Sequence, residues 1–377
     1  MSGKIMIIGL GDIGEHILEI LVRTSGISKI IGVDINEDAA LRRIYSARSG
    51  GAHLGFYPKI EFMKLDLNDI DQTENLLKDT NPDVILTSFT KMTWWMAGAQ
   101  LPRDIFVKID QAGFGPWIPL HLILVYKFAK ALKGSGVDVP WINASYPDVV
   151  NRVLGKVGLA PLIGLGNMDL MIPGIQHVVA DGLGLPIHNI QLFLVADHFI
   201  VHHLNAYAST GGAPYFLKIL MNGKDITKKF DLEKILVDAN RYMPKGVNDH
   251  FIVAASAVKN ILAVLNDSGI ITHSPGPGGL PGGYPVRLCR DSAEVILPEE
   301  ITLEDAIRIN EQAQKFDGIE RIENDGTIVF TKKSVDIMKE MLGYDCEILK
   351  IAECENRAEE LLRLYKNFLQ TSASKGA

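Results

Sequence analysis

Three cysteines, Cys289, Cys346 and Cys354, are too few to staple a chain of 377 residues, and none stands in a CxxC pair. Neither a disulfide framework nor a structural zinc site is therefore expected, and a reducing cytoplasm is the natural compartment. Long apolar runs are missing too: none reaches the roughly 18–20 residues of a membrane span. The short apolar stretch after Lys4 is broken by Gly9, Gly11, Asp12 and Glu15, so it is not read as a secretory leader. Positive charge is in deficit, with 38 Lys+Arg against 45 Asp+Glu and a net charge of −7. That balance disfavours a general nucleic-acid binder, which needs a basic surface to neutralise phosphates. The expected partner is a small molecule, with no nucleic acid and no membrane. Hydrophobic residues at 47% and charged residues at 22% describe a packed globular chain. Its length exceeds an ordinary single domain, so two are expected.

The first forty residues carry a specific pattern. Lys4-Ile5-Met6-Ile7-Ile8 suits a strand buried on both faces. Gly9-Leu10-Gly11-Asp12-Ile13-Gly14 follows, then Ile17, Leu18, Leu21 and Val22 at helical spacing. A second apolar run, Lys29-Ile30-Ile31-Gly32-Val33, ends in Asp34. This is strand, GxGxxG, helix, strand, acid. Gly9 permits the tight turn, Gly11 lets a pyrophosphate approach the backbone, and Gly14 lets helix and strand pack closely. The helix start at Asp12 and Ile13 offers free N–H groups and a positive dipole end to phosphate. Asp34, 20 residues after Gly14, is spaced to hold the ribose hydroxyls. It would repel a 2′-phosphate, which favours NAD over NADP, although Arg42 and Arg43 soften that preference.

Strands at 60–65, 83–87 and 141–143 alternate with helices at 71–78 and 118–133. The second of these strands ends at Thr87 over the expected cofactor, and the first ends at Asp66. Such alternation predicts an α/β fold with a doubly wound parallel Rossmann sheet. The dinucleotide-binding domain is expected over 1–145 and an α+β substrate domain over 146–377.

From residue 84 to about 200 the order of elements resembles the lactate/malate dehydrogenase superfamily. Lys91 to Arg103, including Trp94, Trp95 and Met96, resembles its active-site loop, and the resemblance gives Arg103 the role of polarising a substrate carbonyl. Trp141-Ile142-Asn143 is similar to the strand whose asparagine lies beside the nicotinamide. Gly164-Leu165-Gly166-Asn167-Met168-Asp169 resembles the segment presenting the catalytic aspartate, and Val195-Ala196-Asp197-His198 the strand end bearing the catalytic histidine. Gly246-Val247-Asn248 before a helix at 249–265 resembles the one closing over the nicotinamide. The resemblance implies an NAD-dependent oxidoreductase acting at a hydroxyl or carbonyl carbon, assembled as a homodimer or homotetramer. It also implies catalytic roles for His198, Asp169, Arg103 and Asn143, with cofactor contacts from Gly9, Gly11, Asp12, Ile13, Gly14, Asp34, Asp66 and Thr87.

Hydride chemistry of this kind needs a proton-transfer group, and histidine titrates near neutrality. An aspartate on its other nitrogen would fix the tautomer. Asp169 and His198 are 29 residues apart, room for one helix and one strand.

Departures from the pattern bear on substrate. The family's carboxylate-binding arginine falls at Ile172, which cannot make a bidentate contact. Either the substrate is not a simple 2-hydroxy acid, or Arg241 or Arg287 serves instead. The Gly/Pro-rich stretch Ser274–Tyr284 reads as a loop that shapes the pocket or merely joins elements on the surface. The segment 293–316 reads as an insertion with a helix from about Leu303. His198, His202 and His203 form a cluster with metal-binding potential, although the apolar run before it suggests a strand, and no metal is assigned. Tyr126 and Lys130 form a YxxxK pair that fits ordinary helix packing. A redox-cycling lyase, a glycosidase-like enzyme and a non-catalytic NAD-binding regulator are the alternatives.

Overall fold

The computed structural model describes residues 3–93, 95–243 and 249–373. Trp94 and the Gly246-Val247-Asn248 segment lie outside the described residues. Six parallel strands form the central sheet: β1 (Gly3–Ile8), β2 (Ile27–Asp34), β3 (Lys59–Lys64), β4 (Val84–Thr87), β5 (Trp141–Asn143) and β6 (Ile163–Gly164). Their order is β3-β2-β1-β4-β5-β6. The order reverses between β1 and β4, and the crevice outside the carboxyl ends of strands at such a point is where α/β sheets bind ligands.

Alternation along β1 shows why the sheet is covered twice. Ile5 and Ile7 join one core with helix α1 (Asp12–Val22) and helix α2 (Glu37–His53). Met6 and Ile8 join another on the opposite face. All four are essentially without solvent contact, and each contributes roughly 1.5–3 kcal/mol by leaving water. The second face is covered by α3 (Ile70–Thr80) and α6 (Ile118–Ser135), with the short helices α4 (Trp95–Gln100) and α5 (Arg103–Asp110) between them in sequence. The expected 91–103 loop is thus largely helical. In α6, Tyr126 packs against the core and carries Lys130 over its ring at 5.7 Å, a packing role for the YxxxK pair.

The parallel sheet runs past the expected boundary at residue 145, because β6 follows helix α7 (Pro147–Lys156). The remaining chain holds α8 (Met168–Leu183), β7 (Ile190–Val195), α9 (His198–Tyr207), β8 (Phe216–Met221), β9 (Lys224–Asp225), α10 (Leu232–Ala239) and α11 (His250–Leu265). Strands β7, β8 and β9 form an antiparallel sheet. A second is β10 (Ile270–Pro275), β11 (Gly283–Leu288) and β12 (Ala293–Val295); after α12 (Leu303–Ala313) a third is β13 (Ile319–Ile322), β14 (Ile328–Phe330) and β15 (Ile348–Leu349). Helices α13 (Lys332–Leu342) and α14 (Cys354–Ala373) complete the chain. Two of these late elements return to the Rossmann sheet. Helix α11 packs on α1, while α14 lies on α6. Cys354, Ala358, Leu361 and Tyr365 of α14 belong to the same core as Met6 and Ile8.

The Gly/Pro-rich stretch at 274–284 is neither pocket wall nor surface connection. Its ends are antiparallel partners, Pro275 facing Gly283, and most of it is buried. The reason is close approach: a Cβ on Gly279 would sit 2.8 Å from the Cα of Gly155 in α7. Among the described residues no helix is long and apolar enough to cross a membrane.

Candidate active site

The glycine turn is held as its residue types require. Gly9 has φ +91°, and a Cβ there would meet Ser88 O at 2.5 Å. A Cβ on Gly14 would meet Gly9 O at 2.1 Å. Gly11 is different: a Cβ there would meet nothing within 4 Å, so its face is open. Gly11 is also the N-cap of α1 and makes no side-chain cap, which leaves first-turn N–H groups to an incoming anion. Asp34 fixes the turn from β2, its Oδ2 accepting from Leu10 N at 2.7 Å and its Oδ1 from Asn36 N at 2.8 Å. Arg43 from α2 donates to Leu10 O, Asp12 and Glu15, so its charge is already engaged.

One cleft of about 620 Å³ begins at this turn. Gly9, Gly11, Asp12, Ile13, Asp34 and Asp66 line its outer part. Phe114, His121, Ser145, Tyr146, Asn167 and His198 line its inner part. Thr87 and Gly14 stay behind the wall. Thr87 is buried with its hydroxyl on Ile142 O and Asn143 Oδ1, and the wall position at the end of β4 is taken by Ser88.

His198 opens helix α9 rather than ending a strand. Asp197 is the N-cap, accepting from Phe199 N at 3.1 Å, and this cap turns the chain out of β7. The partner of His198 is Asp317: Nδ1 lies 2.7 Å from Asp317 Oδ2. The expected pair with Asp169 is not formed. Asp169 sits in the first turn of α8, where Lys259 of α11 reaches its two oxygens at 2.7 and 2.6 Å and Ser256 donates to Oδ2. It faces α11, and its spacing from His198 in sequence is not matched by proximity in space.

Asp317 is delivered by a tight joint. Phe114 N donates to its Oδ1 at 3.0 Å, and Gly115 N to its backbone O at 2.7 Å. A Cβ on Gly113 would lie 2.4 Å from the Asp317 backbone, so the turn before α6 closes on residue 317 only because it is glycine. Tyr146 OH also donates to Asp317 Oδ2, at 2.7 Å. Tyr146 holds φ +42° at the start of α7, a conformation that costs a non-glycine residue of order 1–3 kcal/mol. A second carboxylate, Asp148, accepts from His198 N at 3.1 Å and from Asn167 Nδ2.

Electrostatics follow from three buried carboxylates around one imidazole. Burial opposes a charge on His198, but Asp317, Asp148 and Asp197 outweigh it and lift its pKa to about 9. Burial likewise favours the neutral acid at Asp317, yet the imidazolium and the bonds from His198, Phe114 N and Tyr146 hold it below its ordinary value. Asp148 is raised to about 6, mainly by burial. Burial and then the His198 charge press His121 down to about 3. With Nδ1 committed to Asp317, Nε2 is the nitrogen His198 has left for the cleft.

Asn143 and Arg103 are placed differently from expectation. Asn143 is fully buried and spends its amide on Ser145 O, Asn151, Ser145 N and Thr87. It shapes the turn that presents Ser145 and Tyr146 and does not line the cleft. Arg103 is exposed at the start of α5 and does not line the cleft either. Ile172 is half-buried among apolar neighbours in α8. Neither alternative cation takes its place: Arg241 stacks over Tyr242 at 5.1 Å, and Arg287 reaches Gly269 O. His198 and His202 stay stacked at 6.0 Å, but each ring of the cluster is bonded elsewhere, His198 to Asp317, His202 to Asp110 and His203 to Ser209 O. Among the described residues no group of three or more His, Cys, Asp or Glu is gathered to hold a metal.

No protein-family model matches the chain, and no curated protein does. Solved structures do. A lactate dehydrogenase from a Medee basin deep-sea metagenome library is 16% identical, with 90% of this chain and 99% of that one covered at a TM-score of 0.56. Lactate dehydrogenase from Eimeria maxima, solved with NADH and oxamate, is 15% identical over 83% and 93% of the two chains, also at 0.56. Malate dehydrogenase from Plasmodium falciparum is 17% identical over 90% and 100%, at 0.55. The chain therefore has the fold of the lactate and malate dehydrogenases.

Proposed function

We propose that the protein is an NAD-dependent oxidoreductase that moves a hydride between nicotinamide and a carbonyl or hydroxyl carbon of a small substrate other than a simple 2-hydroxy acid. The observation that carries this reading is the continuity of one cleft from the open face of Gly11 to the His198–Asp317 pair. The residues fit a dinucleotide. Gly11 leaves room for a pyrophosphate, the α1 N-terminus complements its charge, and Asp34 lies where adenosine ribose hydroxyls would be held. A bound nicotinamide would donate or accept the hydride.

The protein's part is the proton. In the reducing direction His198 Nε2 gives its proton to the carbonyl oxygen as the carbon gains the hydride, leaving an alcohol and a neutral imidazole. Asp317 keeps the ring oriented throughout and favours its charged form. A histidine raised to about 9 is protonated at neutrality, so reduction is the direction for which the resting site is prepared. No arginine among the described residues lines the cleft, which supports a substrate without a carboxylate next to the reacting carbon.

The test is cofactor titration followed by NADH oxidation over a panel of ketones, aldehydes and 2-oxo acids. NADH should bind, and His198→Gln should keep that binding while losing turnover by about a hundredfold or more. Failure of NADH to bind, or full turnover by His198→Gln, would overturn the reading.

A further inference from the structure

His121 is a second imidazole in the inner cleft. It lies on α6 and is 7% exposed. Its Nδ1 is 3.1 Å from Ser145 Oγ, whereas its Nε2 is buried and has no hydrogen-bond partner. A buried ring nitrogen left unpaired is costly and rare, and one on a cleft wall is satisfied most simply by a ligand. Phe114 packs against both imidazoles, its ring centroid 5.1 Å from His121 and 5.0 Å from His198. Phe114 is thus a shared neighbour of both imidazoles, and all three residues line the cleft.

We propose that His121 is a specificity-determining residue that receives a substrate hydroxyl on its Nε2, and that the substrate is an uncharged carbonyl compound with an adjacent hydroxyl, an α-hydroxyketone. This rests on the reading of the cleft as a hydride-transfer site. The carbonyl oxygen goes to His198 and the neighbouring hydroxyl to His121. In the tautomer that donates Nδ1–H to Ser145 Oγ, Nε2 is an acceptor that takes a hydroxyl proton and has nothing to donate to a carboxylate. The surroundings also disfavour an anion. Asp148, Asp197 and Asp317 already converge on the cation of His198; Lys91 is the one lysine among the described residues on the cleft wall. Burying a further negative charge there without a partner is unfavourable.

Hydroxyacetone and pyruvate share a methyl ketone and differ in carrying a hydroxymethyl or a carboxylate, so they form a matched pair. Each is titrated into the full-length protein saturated with NADH, followed by nicotinamide fluorescence, and then assayed for NADH oxidation. Hydroxyacetone should bind at least tenfold more tightly than pyruvate. His121→Leu should weaken hydroxyacetone at least tenfold, leave NADH affinity and pyruvate affinity within twofold, and act on KM rather than kcat. His121→Gln, which retains a donor and an acceptor, should recover part of the loss. Equal or tighter binding of pyruvate, or no effect of His121→Leu on hydroxyacetone, would overturn the proposal. His121-dependent binding without turnover would keep the selectivity and overturn the oxidoreductase reading. A protein that does not bind NADH would overturn both.

Discussion

Asp317 and His198 lie 119 positions apart in the chain and meet through a 2.7 Å bond between carboxylate oxygen and imidazole nitrogen. Replacing Asp317 by Asn keeps the shape and removes the charge. The expected outcome is a loss of at least about tenfold to a hundredfold in turnover, the range for losing a carboxylate that orients a histidine, and a His198 pKa displaced downward. The pH–rate profile of D317N against wild type checks both; an unmoved profile would show that the pair does not govern proton transfer.

Because His198 is raised from 6.5 to about 9, carbonyl reduction should hold steady through neutrality and fall above pH 9, while alcohol oxidation should rise over the same range. Stability follows the same sign. A histidine with a raised folded pKa contributes fully below about 6.5 and loses that contribution as pH climbs through 9, a loss of about 3 kcal/mol for a shift of this size. Asp148, raised to about 6, adds a further loss between its ordinary range and pH 6. Buried neutral His121 gains stability as pH rises through 6.5 and opposes the His198 loss there, so the clean test is the upper interval: the urea midpoint at pH 9.5 should lie below that at pH 7.5.

Gly11 and Gly14 should separate binding from folding. Gly11→Ala places its methyl in open space at φ −68°, which any residue tolerates. Folding should be unchanged within about 0.5 kcal/mol, as for a surface substitution, while NADH affinity drops. Gly14→Ala drives a methyl onto Gly9 O and should cost at least about 3 kcal/mol, the upper end for overpacking. Thermal melts beside NADH titration give both readouts, and equal effects at the two glycines would contradict the account.

Asp169 is a fastening between α8 and α11. Lys259→Met leaves a buried carboxylate with Ser256 alone. Since Lys259 is itself partly exposed, the cost should fall near the low end of the roughly 3–5 kcal/mol for breaking a buried pair. The pH–rate profile should keep its shape, and a displaced profile would tie Asp169 to the chemistry after all.

Local signals were readable where local physics decides. The glycine turn and the strands at 83–87 and 141–143 follow from steric and periodic rules that act over a few residues. His198 was visible as a titrating group, but its helix was masked by the apolar run before it, and the Asp197 cap decided the matter. Asp317 was invisible because nothing near it in sequence marks it. Only the paired glycines at 113 and 115 hinted that a backbone passes close by, and a glycine does not name its visitor. Asp169 attracted the catalytic role through spacing alone, while Lys259 and Ser256, which settle its role, come from a helix some 90 residues on. His121 had no motif at all; its interest arises from an atom left unpaired after folding.

The return of α14 to the first core has a temporal side. A ribosome that has released everything through His198 has delivered the glycine turn and the imidazole, yet the acid that holds Nδ1 is missing, and each face of the sheet still awaits a late helix, α11 on one and α14 on the other. Until the stretch beginning at Asp317 emerges and folds home, the imidazole lacks the acid that orients it, so the pair is completed only when most of the chain has been made.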